Sequence, residues 1–421
     1  MEYDYFKEKV VRQRVKYIFP FEFDYVKYKD LADRIAEDFE EGLEEGIINY
    51  LDFLPLFNDY FFNVNSEKKK AYKNPYCRDF ILDKKLSIDI RDKEVKIETS
   101  KPMDEAYPYI KRAYLKLFKF GVGFLILSTD YNWKSEPKSL DKVNETDRII
   151  CDKVSKYFEA YKLNKYEDIN FVNTRRGITY ECIELAKNTI CEEHKQNIVL
   201  RTCSAVKTTY ITDSDELKTE LEQKYLTRGD YVFYGFSRSC GVQFILESDS
   251  DNKDHMKRLV SSFMNDRFYV FIFAIQQRNI MRMFAHKLVT SNHKGKRAHP
   301  GKLQADFIDF ITHGMLNDIS DNNVITKFYK RWTNIFDSAN IYEEVSKKLN
   351  VVDEYKQTQF SRKMELISAI IFPALFIGNI VTVGLLKTEN AVSFSWNQMM
   401  FFILGAILIY PLYKLIFRTR G

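Results

Sequence analysis

The sequence predicts an α/β cytoplasmic domain followed by long stalk helices and a C-terminal two-helix transmembrane hairpin. Three observations predict it. Leu366 to Leu386 (LISAIIFPALFIGNIVTVGLL) carries no charge, and Met399 to Phe417 (MMFFILGAILIYPLYKLIF) carries only Lys414. At 1.5 Å rise per residue, about 20 apolar residues cross a hydrocarbon core of roughly 30 Å, so both runs are long enough. Upstream the chain is charged throughout, with most of the 64 Lys and Arg and 59 Asp and Glu of the 421 residues. That upstream part divides into a strand-rich half and a helical half.

Residues 1–250 form the predicted α/β domain. Runs rich in β-branched and aromatic residues read as strands at Val15 to Phe23 (VKYIFPFEF), Lys93 to Thr99 (KEVKIET), Val122 to Ser128 (VGFLILS), Ala205 to Thr212 (AVKTTYIT) and Tyr231 to Leu246. Helical patterns fall between them at about Tyr28 to Glu45 and Lys142 to Tyr161. The charged break SDSDNKD, Ser248 to Asp254, marks the boundary to a helical stalk over residues 251–363. There Asp266 to Thr290 is apolar on several faces, and Asn292 to Gly301 (NHKGKRAHPG) reads as a basic helix–helix turn. Helices follow at Leu303 to Leu316 and Val324 to Phe336. The last helix begins near Asn340 and meets no breaker before Pro373. Asn340 to Leu386 as one helix is about 70 Å long. A single chain of this size cannot bury such a rod, which implies helix partners and a homo-oligomer.

Residues 364–421 form the hairpin, its short outer loop and a basic tail. Arg362 and Lys363 precede the first run, and Lys414, Arg418 and Arg420 close the second. The connecting loop KTENAVSFSWNQ offsets Lys387 with Glu389. Basic residues favour the cytoplasmic side, which keeps both termini and the large domain in the cytoplasm. The six cysteines include no CxxC pair, which suits reduced thiols and assigns no metal site. A net charge of +5 describes a mixed surface, so direct nucleic-acid binding is not expected. No P-loop, HExxH or GxSxG is present and the histidines lack ligand-like spacing. No catalytic residue is assigned, and an enzyme is not expected.

Polar residues of the long helix fall on one stripe. Steps of three and four connect Thr358, Ser361, Glu365, Ser368, Phe372, Leu375, Asn379 and Thr382. Amides and hydroxyls in hydrocarbon cost free energy unless they face protein or water. The stripe therefore has two readings. In one it packs against the second span or a neighbouring subunit. In the other it lines a pore, with Phe372 and Leu375 as an apolar constriction and Glu365 as an acidic ring at the cytoplasmic mouth. Ser368, Asn379 and Thr382 then line the wall.

A stalk helix entering a first span, a short loop, a second span and a basic tail resembles the plan of CorA-type divalent-cation transporters. Met364 to Ile380 (MELISAIIFPALFIGNI) is similar to that family's first span, with Pro373 in the corresponding place. Phe268 to Arg278 (FYVFIFAIQQR) and Ile319 to Trp332 (ISDNNVITKFYKRW) resemble the helices beside its stalk. The resemblance covers about Asp266 to Gly421. It implies a CorA-like homo-oligomer, usually a pentamer, with a cytoplasmic funnel, a central pore and a divalent cation as permeant ion. The family's Gly-Met-Asn signature forms the selectivity filter for hydrated Mg²⁺; here Thr382, Val383 and Gly384 stand in its place. Without that filter, selective Mg²⁺ uptake is disfavoured.

Shorter segments resemble the divergent CorA-like proteins associated with type III CRISPR systems. These are Asn74 to Asp79 (NPYCRD), Leu115 to Leu125 (LKLFKFGVGFL), Asn173 to Gly177 (NTRRG) and Tyr234 to Arg238 (YGFSR). The resemblance implies a membrane effector of antiviral defence in the bacterial inner membrane. Such effectors respond to a nucleotide second messenger, for some members an adenylated S-adenosylmethionine. The residues offer a matching site. Arg175 and Arg176 present fork-shaped donors suited to a phosphodiester, beside Gly177, which permits close backbone approach. Arg228, Asp230 and Arg238 surround strands rich in Tyr231, Phe233, Tyr234 and Phe236, rings able to stack an adenine. The alternative for these residues is surface ion pairs and sheet aromatics. The alternatives for the chain are a divalent-cation transporter lacking the usual selectivity motif, and a membrane-anchored enzyme or scaffold. No cofactor is required by the effector reading.

Overall fold

The longest strand, β1 (Lys9–Phe23), organises the sheet. The computed structural model describes residues 8–42, 52–62, 75–82, 86–91, 94–98, 110–170, 177–186, 190–204, 221–246, 253–293 and 300–386, the last helix by its backbone alone beyond Ser368. In chain order the further strands are β2 (Glu40–Glu41), β3 (Cys77–Ile81), β4 (Ser87–Arg91), β5 (Glu94–Glu98), β6 (Arg112–Phe118), β7 (Val122–Asn132), β8 (Lys138–Ser139), β9 (Ile169–Asn170), β10 (Ile178–Leu185), β11 (Tyr225–Thr227), β12 (Val232–Phe236) and β13 (Cys240–Leu246). The main sheet runs β11-β12-β13-β10-β1-β7-β6-β3-β2, with β8 and β9 paired to the ends of β1. Among the described residues only β10 and β13 pair in parallel. The β4–β5 hairpin stands apart.

Alternation along β1 sets two layers. Val15, Tyr17, Phe19, Phe21 and Phe23 enter one core with Leu115, Leu125, Ile183 and Phe244 of neighbouring strands. Helices Tyr28–Asp38, Leu140–Cys151, Val154–Ala160 and Glu192–Ser204 cover that face. The opposite face carries Lys16, Lys116, Tyr180 and Tyr234. Lys16 Nζ lies 4.1 Å from the Phe268 ring centroid, Tyr180 stacks on Phe263 at 4.5 Å, and Phe236 meets Trp332 at 4.9 Å. Helices Pro55–Phe61, Lys253–Met264, Asp266–His293, Pro300–Gly314 and Asn323–Ile335 therefore form the second layer. From Phe268 to Ile275 the long central helix is buried on every side, as its all-round apolar sequence requires.

Two positions show how local chemistry fits the sheet. The β10 ladder on β1 ends at Ile18, so Pro20, which has no N–H to give, falls where β1 is paired to β7 alone. Gly121 turns the chain between β6 and β7 at φ 89°, and a Cβ there would lie 2.7 Å from the Phe23 carbonyl oxygen.

Several expectations are corrected. The helix from Tyr28 stops at Asp38 because Phe39 turns extended and Glu40–Glu41 pair with β3, where Glu41 holds Arg78 at 2.7 Å. Lys142 to Tyr161 is two helices, broken at Asp152–Lys153. Tyr231 to Leu246 is a hairpin of two strands. Strands β6 (RAYLKLF) and β10 (ITYECIEL) escape the apolar pattern because each buries a charged residue type, Lys116 and Glu181. The strand expected at Ala205 to Thr212 lies outside the described residues.

The chain forms two compact units, Met1–Lys347 and Lys348–Gly421. The boundary expected near residue 250 falls inside the first, because the helices that follow pack back on the sheet through Phe263, Phe268 and Trp332. The last helix is continuous from Ser338 to Leu386, 49 residues, through Pro373. Glu365 is exposed and Ser368 half-buried, while the side chains of Phe372, Leu375, Asn379 and Thr382 lie outside the described residues. No helix is long and apolar enough to cross a membrane among the described residues; Met399 to Phe417, and the side chains of the first run beyond Ser368, lie outside them.

Candidate functional site

Of the residues expected to form one nucleotide pocket, Arg228 and Asp230 lie in one turn and Arg238 in another. Arg175 and Arg176 lie outside the described residues. The close approach at Gly177 is made inside the core: a Cβ there would lie 2.6 Å from the Phe19 ring, and its N–H donates to the Cys151 carbonyl at 2.9 Å. Arg228 and Asp230 are exposed in the turn before β12, and Arg238 is exposed in the turn after it. Five residues of strand separate the two turns, roughly 17 Å at about 3.3 Å per residue, too far to share one phosphate. The rings are also committed. Phe233 stacks on Phe244 at 4.9 Å, and Tyr234 and Phe236 are buried against Phe328 and Trp332. Tyr231 alone of the four is exposed. These buried rings build the core and are closed to a base.

Arg238 belongs to a different set. Its Nε donates to the Ile335 carbonyl oxygen at 3.0 Å. The Arg278 guanidinium lies 5.5 Å from the ring centroid of Phe336, the next residue. Arg282 follows Arg278 by four residues on the Asp266–His293 helix, so the two share a face. Burial chiefly, then the charges of Arg282 and Arg238, pull the Arg278 pKa down to about 10, with Asp337 opposing. The Arg278 Nε is buried without a hydrogen-bond partner. Asp337 takes the left-handed conformation, φ 57°, between the Asn323–Ile335 helix and the Ser338–Leu386 helix. Its Oδ1 accepts from Asn340 Nδ2 at 2.7 Å. Ser338, the first residue of the long helix, has a buried hydroxyl with no partner. Arg238 and Arg278 thus lie against the residues just before the long helix, with the charges of Arg282 and Asp337 acting on Arg278.

A second polar centre lies inside the sheet's other face. Gln13 Nε2 donates to Asp147 Oδ2 at 2.7 Å and to Glu181 Oε2 at 2.6 Å. Tyr17 Oη donates to Asp147 Oδ1 at 2.6 Å and lies 3.1 Å from Tyr131 Oη. Cys240 Sγ approaches Glu181 Oε1 at 3.6 Å. Burial raises the Asp147 pKa to about 6, restrained by the hydrogen bonds from Tyr17 and Gln13. Burial, then the Asp147 charge, push Glu181 well above the carboxylate range. Glu181 is the acid that keeps its proton and Asp147 the one that accepts. The pair can hold and release a proton.

The sequence marked Arg238 but passed over Arg278 and Arg282. The available signal was two like charges at i and i+4 within an otherwise apolar helix. Among the described residues, no group of three or more His, Cys, Asp or Glu side chains is placed to hold a metal ion. No protein-family model matches the sequence, and no curated protein matches it.

Proposed function

We propose that this chain is the subunit of an oligomeric CorA-like membrane channel or effector, gated by a nucleotide second messenger of the adenylated S-adenosylmethionine type. In this reading it acts in type III CRISPR antiviral defence by membrane permeabilisation or ion leakage. It sits in the bacterial inner membrane as a homo-oligomer with both termini cytoplasmic. The observation that carries the reading is the single helix Ser338–Leu386. Its backbone starts beside the arginine-lined turn of the sheet unit and runs, about 73 Å at 1.5 Å per residue, to the end of the uncharged stretch Leu366–Leu386. One uninterrupted helix is a means of passing a change at its head to its apolar end. The ligand must bind the open state more tightly than the closed one, since equal affinity shifts nothing.

The test is isothermal titration of the detergent-purified protein with adenylated S-adenosylmethionine, cyclic oligoadenylates and MgCl₂. Tight, stoichiometric binding of one nucleotide is expected. Saturable Mg²⁺ binding with silence toward every nucleotide would contradict the reading and favour a divalent-cation transporter.

A further inference from the structure

We infer that Arg238, Arg278 and Arg282 form a phosphate-binding site at the head of the long helix, for the phosphodiester or phosphomonoester of a small nucleotide. The inference rests on the effector reading above and names the site at which its ligand acts.

Arg278 carries it, by contrast with cations that find an acceptor within the fold. Buried Arg267, whose Nε is also unfilled, still donates through Nη1 to Tyr234 Oη at 3.0 Å. Arg12 pairs with Asp130 at 2.9 Å, Arg78 with Glu41 and Asp33 at 2.7 Å, and buried Lys116 with Asp79 at 2.7 Å. Each of these three has its pKa raised, Arg12 chiefly by Asp130, and Arg78 and Lys116 against a burial that lowers it, by their acids. Arg331 lacks an acid, but one nitrogen donates to three carbonyls, of Glu222, Gln223 and Tyr225. Arg278 is treated otherwise. It is half-buried, its Nε is unfilled, and its charged neighbours include two further arginines. Such an arrangement costs stability through like-charge repulsion and an unmet donor. An anion that accepts from all three groups removes both costs.

The chemistry selects a phosphate. Guanidinium forks match pairs of phosphate oxygens, and several forks from different elements fit a tetrahedral group better than one planar carboxylate. Two features of the long helix add to the site. Its first turn presents backbone N–H groups and the positive end of the helix dipole. Ser338 adds a buried hydroxyl that has no partner within the protein. Position explains the consequence. Arg238 from the β12–β13 turn and Arg278 from the Asp266–His293 helix meet at Ile335–Phe336, and Arg282 stands one helical turn beyond Arg278. A bound phosphate draws these elements together at the residues from which the long helix departs.

The test uses the full-length protein in detergent, titrated with adenylated S-adenosylmethionine, cyclic oligoadenylates and inorganic pyrophosphate, and mixed separately with phosphatidylglycerol vesicles. Arg282→Gln and Arg238→Gln are exposed changes, with Arg278→Gln as the more buried third and Arg258→Gln, on another exposed face, as the control. Each site variant is expected to lose roughly tenfold to a hundredfold in nucleotide affinity, one charged hydrogen bond being worth about that factor. The unfolding midpoint without ligand should stay level or rise in Arg282→Gln, whereas a purely structural arginine would lower it. Nucleotide binding unchanged in Arg282→Gln and Arg238→Gln overturns the site and leaves the effector reading standing. Arginine-dependent binding of pyrophosphate with none of any nucleotide sustains the phosphate site and overturns the effector reading. Arginine-dependent binding of the vesicles alone overturns the nucleotide assignment in favour of a lipid headgroup. Silence of the wild-type protein toward every probe overturns both.

Discussion

Glu181 and Asp147 hold a proton in the interior, where neither carboxyl faces a cation in its hydrogen-bonded set of Gln13, Tyr17 and Cys240. Both have folded-state pKa values raised above the unfolded ones, Asp147 to about 6, chiefly by burial. The folded state then binds more protons than the unfolded chain from about pH 4 upward. Stability from this pair is complete below about pH 4 and is lost as pH rises through about 6 and beyond. Glu181→Gln keeps the neutral partner without a titrating proton. Thermal unfolding between pH 5 and 8 should show a flatter profile and a gain on the order of 2 kcal/mol at pH 8. An unchanged slope would remove Glu181 as its source. Lys116 poses the converse case, 1 % exposed and paired with Asp79. Asp79→Asn should cost about 3–5 kcal/mol in denaturant unfolding, whereas Asp79→Leu with Lys116→Met should be close to neutral. These same two residues hid their strands. A lysine in RAYLKLF or a glutamate in ITYECIEL reads as solvent-facing until its partner is known, and Asp79 and Asp147 stand on other elements. Arg238 was expected as a ligand residue for its charge beside a strand. Its contact with Ile335, on which Arg278 also closes through Phe336, was not legible, because these contacts are tertiary.

At the scale of elements, the long helices were the most legible part. Asp266–His293 and Ser338–Leu386 lie within a few residues of their expected bounds, since long apolar or unbroken patterns have few competing conformations. Shorter elements depended on neighbours: the helix expected to reach Glu45 yields at Phe39 to a sheet edge that recruits Glu40–Glu41. Continuity of the last helix is what the proposed mechanism needs. Glu354→Pro, at an exposed position in its middle, removes a backbone hydrogen bond and kinks the helix at a cost of about 3 kcal/mol. Nucleotide affinity should stay within about twofold while nucleotide-dependent leakage from vesicles falls at least tenfold. Leakage that survives this kink would rule out the helix as the route of coupling.

At the scale of the whole molecule, a sheet covered by helices on both faces forms the unit Met1–Lys347, and the remainder of the chain carries the two apolar runs read from the sequence. The sandwich itself was only half visible, because its second layer begins after the charged break that reads as a domain boundary, and those helices close the sheet instead of leaving it. In the proposed mechanism a nucleotide bound to this unit opens a membrane path. The most direct measurement is release of an entrapped dye and of ions from vesicles holding the purified full-length protein, with and without adenylated S-adenosylmethionine. Vesicles should be tight without nucleotide, and release should saturate over the concentration range in which the nucleotide binds. Vesicles that stay tight at saturating nucleotide, or leak equally without it, would contradict that mechanism.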